Sequence, residues 1–485
     1  MKKIYILCAL AGLGLSSCKK LLEEKPVGIL TDQNFYLNAA DAQSAVVGAL
    51  SQLQPQAYYQ RTVYIMGELS GDGLVPLLTQ NQERIDMYKL TYTAQNIEIN
   101  NWWVNSYKLI SRANDIIANV PKISMDAAAK NNLLGNAYFL RGLAYFDLVR
   151  SFGDVPLITH PITSKDDPDF SPSRTAANKI YAQVISDLQF AETNCLTEDK
   201  IAAANKGMVS SGAASAMLAR AYLQRASTTF ADPADNQNAL NACNKVINSG
   251  IYKLMPNYSD VFNCDLKYFP QQTEHIFDVQ FGNNNTTTQN IIVRMFTPKN
   301  GSGSFLANPY MANQIYFGAD KRKAWNISNT VVDAKGVVSS VPFYISKFRD
   351  PQWVLNSNNS RVNWLVLRYA DVLLMQSEAM NNLNPSDPAK FNGMNTVRDR
   401  AGLNASHLDL TNTPTPSAFI DTLVKDRARE LCIEGHRRWD LIRLGRFKQV
   451  EQQVNGFTAQ DFQLLLPLPQ PELDVNKNLK QNPGY

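Results

Sequence analysis

Residues 134–150 read LGNAYFLRGLAYFDLVR, and this stretch decides the fold class. Its apolar and small residues recur at spacings of three and four, which is the period of an α-helix. A helix that is apolar on two sides packs between neighbouring helices. The stretch therefore predicts an inner helix of a multi-helix fold. Its two apolar sides are formed by Leu134, Ala137, Tyr138, Arg141, Ala144, Tyr145 and Leu148, and by Phe139, Leu143 and Phe146.

The same helical spacing recurs on both sides of this stretch. Small residues such as Gly142 and Gly212 stand where paired helices must approach closely. Thr415 and Pro416 are typical of a helix start, as the N-cap and the first helical residue. Helix pairs that repeat every 30 to 45 residues or so are typical of tetratricopeptide-like stacks. Further helices are predicted around residues 103–117, 180–191, 213–222, 240–247, 365–380 and 419–431.

Residues 251–360 interrupt this helical pattern. Prolines recur there, and runs such as Asn300-Gly-Ser-Gly-Ser304 have the composition of turns and loops. Residues 275–281 (HIFDVQF) form a short strand-like piece. A long, irregular, aromatic-rich insertion on a helical scaffold is a common place for a binding surface.

The first 18 residues, MKKIYILCALAGLGLSSC, have the pattern of a secretory signal. The apolar run from Ile4 to Leu15 is shorter than the roughly 20 residues of a membrane-spanning helix. Its ending, Leu15-Ser-Ser-Cys18, resembles a bacterial lipobox, in which the cysteine is lipidated after cleavage before it. We therefore expect a signal peptide at 1–17, lipidation at Cys18 and a tether over 18–35.

Composition narrows the function classes. The chain is 45% hydrophobic and 19% charged, with 47 Lys and Arg against 43 Asp and Glu. It has no basic stripe that would predict a nucleic-acid partner. The cysteines and four histidines show no metal-ligand spacing, so no metal or cofactor is predicted. The sequence leaves open whether calcium is bound and whether Cys243 and Cys264 form a disulfide.

Several segments, taken in order, resemble the SusD/RagB family of outer-membrane nutrient-uptake lipoproteins. The resemblance covers nearly the whole chain, and its strength lies in the order of the fragments rather than in any one of them. The matching segments are Trp103-x3-Tyr107-x2-Ile110-x2-Ala113-Asn114, the 137–150 helix with Phe152-Gly-Asp-Val-Pro-Leu157, Leu367-Arg-Tyr-Ala-Asp-Val-Leu-Leu-Met375, Val397-Arg-x-Arg-Ala-Gly-Leu403, Glu434-Gly-His-Arg-x-x-Asp-Leu-Ile-Arg443 and the end Asn482-Pro-Gly-Tyr485.

This resemblance implies a mainly α fold, a superhelix of tetratricopeptide-like helix pairs with an irregular, loop-rich, short-strand insertion packed on it. It also implies a role: a lipid-anchored, surface-exposed outer-membrane protein that captures oligosaccharides and delivers them to a SusC-like TonB-dependent barrel, without catalysis. The expected regions of one globular unit are an N-terminal helical-repeat region (36–250), an irregular ligand-binding region (251–360) and a C-terminal helical region (361–485).

Arg427 to Arg443 is a charged cluster that resembles a catalytic site at first reading. Glu434 and Arg438, four residues apart, are expected to pair on one helix face. His436 lacks the second histidine of a zinc helix motif. We therefore interpret the cluster as a structural network that orients the C-terminal helices, and we predict that the protein is not an enzyme.

Glycan binding needs flat aromatic faces that lie under sugar C–H groups, and side chains that hydrogen-bond hydroxyl groups. Trp102 and Trp103 are adjacent, and the helical register assigns Trp103 to the core, so Trp102 is predicted to be an exposed platform. The resemblance points to two general locations for ligand binding: the stretch before the Trp103 helix and the insertion near Trp325. The candidate ligand-binding residues are Trp102, Asp72, Trp325, Trp353, Tyr310 and Tyr316.

Each candidate also has a structural interpretation. Trp325 and Trp353 can attach a loop to the scaffold, and Asp72 can bond its own turn backbone. Two other functions stay open. The ligand can be a peptide, as for a RagB-like uptake subunit, or the protein can be a helical-repeat scaffold lipoprotein that binds only proteins. Exposed, clustered aromatics in 251–360 favour sugar binding, whereas buried aromatics favour the scaffold.

Overall fold

The computed structural model describes residues 35–79, 81–282 and 288–485. The predicted signal peptide, the lipidation site Cys18 and nearly all of the tether lie outside the described residues. Within the described part of the chain, no helix is both long enough and apolar enough to cross a membrane.

The N-terminal half of the chain is helical. A capping residue begins each of its two longest helices: Asn96 for α4 and Asp126 for α5 each accept a backbone N–H of the first turn. The elements, in order, are α1 (Ala39–Ser51), α2 (Thr62–Glu68), β1 (Leu74–Pro76), α3 (Gln82–Lys89), α4 (Ile97–Asn119), α5 (Ala127–Phe152), α6 (Ala177–Asn194), α7 (Ser211–Ala226) and α8 (Asp235–Asn248).

Helix α5 is the inner helix predicted from its sequence. It is buried on nearly every side from Leu133 to Phe152 and packs between α4 and α6. Gly142 lets α6 approach closely, because a Cβ at this position would lie 3.2 Å from Leu188. Each of the helices α4 to α8 packs on its neighbour in sequence, as in a stack of helix pairs. The prediction of a mainly α fold with a short-strand insertion is confirmed.

The insertion contains short strands and short helices, and its strands pair in antiparallel ribbons. Residues 275–279 form a strand, as predicted. Strand β4 pairs with β5 as a hairpin. The elements are β2 (His275–Val279), α9 (Ile292–Phe296), β3 (Phe305–Ala307), α10 (Arg322–Asn326), β4 (Ile327–Val332) and β5 (Val338–Ile345).

The C-terminal region returns to helices after one strand. Thr415 caps α13, with Pro416 in the first turn, as the sequence predicts. Strand β6 pairs with β2, so the chain leaves and re-enters the scaffold along one ribbon. The elements are β6 (Trp364–Arg368), α11 (Tyr369–Leu383), α12 (Asn392–Arg400), α13 (Pro416–Glu430), α14 (Arg437–Arg443), α15 (Phe447–Val450) and α16 (Gln470–Val475).

The helical stack continues directly across the insertion. Helix α8, which precedes the insertion, packs against α11, which follows it. The helices on either side of the insertion are therefore neighbours in the stack, and the insertion projects from their junction.

A buried ion network joins the insertion to the C-terminal region. Arg368 lies at its centre, with its Nη1 2.8 Å from Glu274 and 2.6 Å from Glu430 and its Nε 2.7 Å from Glu434. Lys347 contributes its Nζ 2.5 Å from Glu434. All five side chains are buried. Each charge therefore has a partner, which is the condition under which buried charges are tolerated.

Two more guanidinium groups complete the network. Arg322 donates to Glu430 at 2.9 Å, and Arg400 pairs with both Glu430 and Glu274. Burial opposes ionisation of Glu430, yet Arg400, Arg368 and Arg322 hold its pKa well below the ordinary value. The interpretation of this part of the sequence as a structural network agrees with these contacts.

The predicted pairing of Glu434 with Arg438 is wrong. Helix α13 ends at Glu430 and α14 begins at Arg437, and Ile433 and Gly435 between them have positive φ angles of 56° and 79°. The i,i+4 rule applies only within a continuous helix. Glu434 pairs with Arg368 and Lys347 instead, and Arg438 donates to the backbone oxygen of Gln463.

The question of a disulfide has a clear answer in the structure. Cys195, Cys243, Cys264 and Cys432 are buried free thiols, so Cys243 and Cys264 are not joined. Burial raises the pKa of Cys264 to about 12, which keeps this thiol protonated. Unreactive, buried cysteines of this kind act as small apolar side chains.

Gly67 provides a test of the close contact between α2 and the turn before α14. An added Cβ would lie 2.5 Å from the backbone oxygen of Gly435. We expect Gly67→Ala to lower the free energy of unfolding by about 1–3 kcal/mol, because overpacking displaces the turn. Gly48→Ala in α1, where an added Cβ meets nothing within 4 Å, is the control and is expected to raise stability by about 0.4–1 kcal/mol. Urea unfolding of both variants measures this, and equal effects would contradict the packing.

His436 provides a test of pH dependence. Burial, together with the positive charge of Arg220, lowers the pKa of His436 from 6.5 to about 3. The unfolded chain binds this proton near pH 6.5, so stability is present above that pH and is lost as pH falls towards 3. We expect His436→Gln to lose less stability than the wild type between pH 6.5 and about 4. Urea unfolding at both pH values measures the difference, and parallel losses would refute this assignment.

Candidate functional site

The stretch before the Trp103 helix meets the insertion in one ribbon. Strand β1, from the stretch before the Trp103 helix, pairs antiparallel with β3 of the insertion, with Pro76 opposite Phe305. Two backbone hydrogen bonds extend the pairing, from Leu77 to the oxygen of Ser304 (2.9 Å) and from Asn308 to the oxygen of Gly73 (3.0 Å). The ribbon therefore fixes the N-terminal stretch against the insertion.

The β4–β5 hairpin and the loop after Trp353 lie beside this ribbon. Strand β5 lies against β3. Asn300 joins the other segments: its Nδ2 donates to the oxygen of Val332 at 2.8 Å, and its own backbone oxygen accepts from the N–H of Asn356 at 2.8 Å. Three parts of the insertion thus form one surface with the end of β1.

This surface exposes aliphatic side chains. They are between 37% and 70% exposed, and an exposed apolar patch bordered by polar groups is typical of a ligand or partner site. Asn300, Asn356, Ser357 and Asn358 supply amide and hydroxyl groups around it. We name it the aliphatic shelf, and its members are Leu78, Val332, Val338, Val354 and Leu355.

Two residues beside the shelf have unusual backbone conformations. Lys299 has φ 60° and Asn356 has φ 62°, both in the left-handed region. Asparagine tolerates this region well, but lysine does not. Sparsely populated conformations of this kind concentrate at binding and catalytic sites, where the surrounding structure holds them.

The predicted exposure of Trp102 is wrong. Trp102 is 0% exposed and its Nε1 donates to Ser151 Oγ at 3.3 Å. Its ring contacts Tyr58 (5.1 Å between centroids) and stacks on Trp439 (6.0 Å). Trp103 is buried as predicted. Helix α4 is covered on both sides, so two adjacent tryptophans both lie in the core.

Asp72 and Tyr316 are also buried. Both carboxylate oxygens of Asp72 accept from Arg437, from Nε and Nη2 at 2.6 Å each. The hydroxyl of Tyr316 accepts from Asn326 Nδ2 at 2.8 Å. These contacts are structural, so Asp72 and Tyr316 present no polar group to a ligand on the shelf.

The other three candidates are half-buried and have different contacts. The guanidinium of Arg349 lies over the Trp325 ring, 4.0 Å from its centroid. Trp353 donates from Nε1 to the oxygen of Ser357 at 3.0 Å, which shapes the loop that carries Val354. Tyr310 lies near Asp72 and Arg437, and burial raises the pKa of its hydroxyl. Of the six candidates, Trp353 is the one that belongs to the shelf loop.

Sequence reasoning missed the aliphatic members of the shelf because it searched for aromatic side chains. A signal for the hairpin was present: Val331-Val332 and Val337-Val338 flank Asp333-Ala-Lys-Gly336. Two β-branched runs around a glycine-containing turn predict a hairpin. Nothing in the sequence indicated that Leu78 would lie beside the insertion.

One group of potential metal ligands occurs among the described residues. His160 Nε2 lies 3.1 Å from Asp167 Oδ2 and His160 Nδ1 lies 3.8 Å from Asp169 Oδ2. The three side chains are accessible and pair with one another. None of them belongs to the shelf.

Comparison with known proteins gives consistent matches along the chain. A family model described as "SusD family" matches residues 270–485, and one described as "Starch-binding associating with outer membrane" matches residues 36–223. A SusD-like protein from Formosa agariphila is 28% identical over 526 residues, covering 100% of both chains.

Solved structures share the fold. A SusD superfamily protein from Parabacteroides distasonis has a TM-score of 0.79 and 26% identity, over 92% of this chain and 99% of that chain. A laminarin binding SusD-like protein has a TM-score of 0.77 and 25% identity, over 93% of this chain and 100% of that chain. The fold is therefore shared over more than nine tenths of the chain.

The contrast between Trp102 and Val354 gives a test of this site description. We expect Trp102→Ala to lower the free energy of unfolding by about 3–5 kcal/mol, because it leaves a large cavity in the core. Val354→Ser, at the most exposed position of the shelf, is expected to change it by less than about 0.5 kcal/mol. Urea unfolding measures both, and a small effect of Trp102→Ala would contradict its burial.

Proposed function

The chain belongs to the SusD/RagB family of carbohydrate-binding proteins, and we propose that it captures an oligosaccharide on the aliphatic shelf. We further propose that it delivers this oligosaccharide to a TonB-dependent outer-membrane barrel. The family is associated with the outer membrane. We propose that lipidation of Cys18 anchors the protein there, on the cell surface. Capture is non-covalent, and the protein transfers the ligand without cleaving it.

The pairing of β1 with β3 is the observation that carries this proposal. It places Leu78 beside the insertion and creates a surface that neither segment has alone. The shelf offers aliphatic side chains in the place of the expected aromatic faces, with amide groups around them. Its aliphatic side chains cover the C–H faces of sugar rings, and the surrounding amides hydrogen-bond the hydroxyl groups.

The wide exposure of the shelf suits an extended ligand. Small-molecule sites are concave and bury most of their ligand. In contrast, Val338 lies beside the hairpin turn and Val354 lies in a loop, and both side chains are exposed. An oligosaccharide that lies across several residues is compatible with this shape. Laminarin is the first glycan to test, because one structural relative at 25% identity is a laminarin binding protein.

Calorimetric titration of the purified protein with laminarin tests the proposal. We expect binding in the wild type and about tenfold weaker binding in Val354→Ser, because burying a valine side chain contributes roughly 1.5 kcal/mol. Val475→Ser is the matched control. Val475 is even more exposed but lies on α16, outside the shelf, so its variant is expected to keep the wild-type affinity.

Two readouts separate this proposal from its competitors. Chromatography after titration should recover laminarin intact, and cleavage would establish an enzyme instead. If a panel of neutral and anionic glycans gives no heat while a peptide mixture does, the ligand class is peptide. Equal affinities in Val354→Ser and Val475→Ser would remove the shelf as the binding surface.

A further inference from the structure

A polar cluster with excess positive charge lies against the β1–β3 ribbon. Arg61 and Arg84 share a single carboxylate, Glu98: Arg61 Nη2 lies 3.3 Å from its Oε1, and Arg84 Nε lies 3.7 Å from the same atom. Glu98 is already engaged, since its Oε2 accepts from Thr62 Oγ1 at 2.8 Å. Two guanidinium groups therefore face one carboxylate that has a further donor.

Three polar atoms of this cluster are buried without a hydrogen-bond partner. They are Arg61 Nε, Arg84 Nε and the hydroxyl of Tyr64. The 3.7 Å separation of Arg84 Nε from Glu98 is too long for a hydrogen bond. Buried polar groups normally have a partner, and each exception needs an explanation. The two guanidinium N–H groups are donors and the hydroxyl can also donate, so the cluster lacks a hydrogen-bond acceptor.

The cluster is adjacent to the proposed binding surface. The Arg84 guanidinium lies over the ring of Phe305, 5.4 Å from its centroid, and the Tyr64 ring meets the same ring edge-on at 5.5 Å. Phe305 of β3 lies opposite Pro76 of β1. Pro76 stands two residues before Leu78 in the chain. The cluster also opens to solvent, because the Arg61 and Arg84 side chains are 21% and 12% exposed.

A third cation lies at the shelf itself. Arg294 donates from Nη1 to Asn358 Oδ1 at 2.9 Å, and its Nε has no hydrogen-bond partner. Among the residues that the structure describes, no carboxylate lies within 4.0 Å of its guanidinium nitrogens. Its backbone oxygen accepts from Ser302, in the segment that leads into β3. Positive charge therefore continues from the cluster to the loop of the shelf.

We propose that the glycan bound at the shelf is anionic, and that Arg61 and Arg84 bind its carboxylate or sulfate-ester group. This inference rests on the proposed function and specifies its ligand class. A guanidinium fork matches the planar carboxylate and the sulfate oxygens with two parallel hydrogen bonds.

The experiment compares three probes: laminarin, laminarin sulfate and an alginate hexasaccharide. Laminarin sulfate tests the sulfate ester against the same neutral backbone, and alginate tests the carboxylate. We expect the wild type to bind one anionic probe at least about tenfold more tightly than laminarin. Added salt is expected to weaken this preference, because it screens charges at the partly exposed guanidinium groups.

Two variants assign the preference to the cluster. Arg84→Gln removes one guanidinium, and Arg61→Gln removes the other. Both are expected to lose most of the anionic preference and to leave laminarin binding within about twofold. The control is Arg112→Gln on the outer face of α4, where Arg112 is exposed and donates to the oxygen of Gly48. It is expected to behave as the wild type.

The outcomes distinguish the two proposals. Binding of laminarin with no preference for either anionic probe overturns the anionic ligand and leaves the proposed function standing. A preference that Arg84→Gln and Arg61→Gln retain also overturns the role of the cluster. If no glycan binds, the proposed function fails, and the melting temperature in inorganic sulfate then tests the anion site alone. A rise in melting temperature that Arg84→Gln abolishes supports the anion site. No rise in the wild type overturns it.

Discussion

Arg368 is the residue on which the placement of the insertion depends. Its guanidinium contacts carboxylates from the segment before β2, from the end of α13 and from the turn before α14. A buried arginine must satisfy several donors at once, so its partners have little freedom of position. The ribbon of β2 and β6 ends at this residue. The insertion is thus held by a charge network as well as by its own apolar contacts.

The shelf inherits its geometry from this attachment. Network members Arg322 and Lys347 lie just before β4 and just after β5, so the hairpin that carries Val332 and Val338 is fixed at its base. The other side of the shelf is fixed by β1, which enters from the N-terminal half. A loop-rich surface is therefore supported by ordered elements on both sides, which is favourable for a binding site because less conformational entropy is lost on binding.

The sequence predicted the local features of the fold well. The apolar period of α5, the Thr415 and Pro416 start of α13 and the strand at 275–279 all depend on residues close together in the chain. The failures concern contacts between distant residues. The burial of Trp102 depends on Trp439, and the partner of Glu434 is Arg368 rather than its helical neighbour Arg438. Spacing rules do not contain such long-range information.

The candidate site follows the same pattern. Family resemblance pointed to the stretch before the Trp103 helix and to the insertion near Trp325, and the structure pairs the first of these with another part of the insertion, β3. Which side chains reach solvent was not predictable, because Asp72 and Tyr316 find partners in Arg437 and Asn326. The exposed positions are valines and leucines, which a search for aromatic platforms does not select. Residue type is a weaker guide to an exposed surface than the topology that exposes it.

The direct packing of α8 on α11 has an evolutionary consequence. The scaffold closes without the intervening segment, which departs from it and returns to it along a single ribbon. Lengthening a surface loop of this kind costs little free energy, since closure entropy rises only slowly with length. Descendants of one ancestral gene can therefore exchange or extend this segment and present a new surface, while the fold of the helical scaffold beneath is kept.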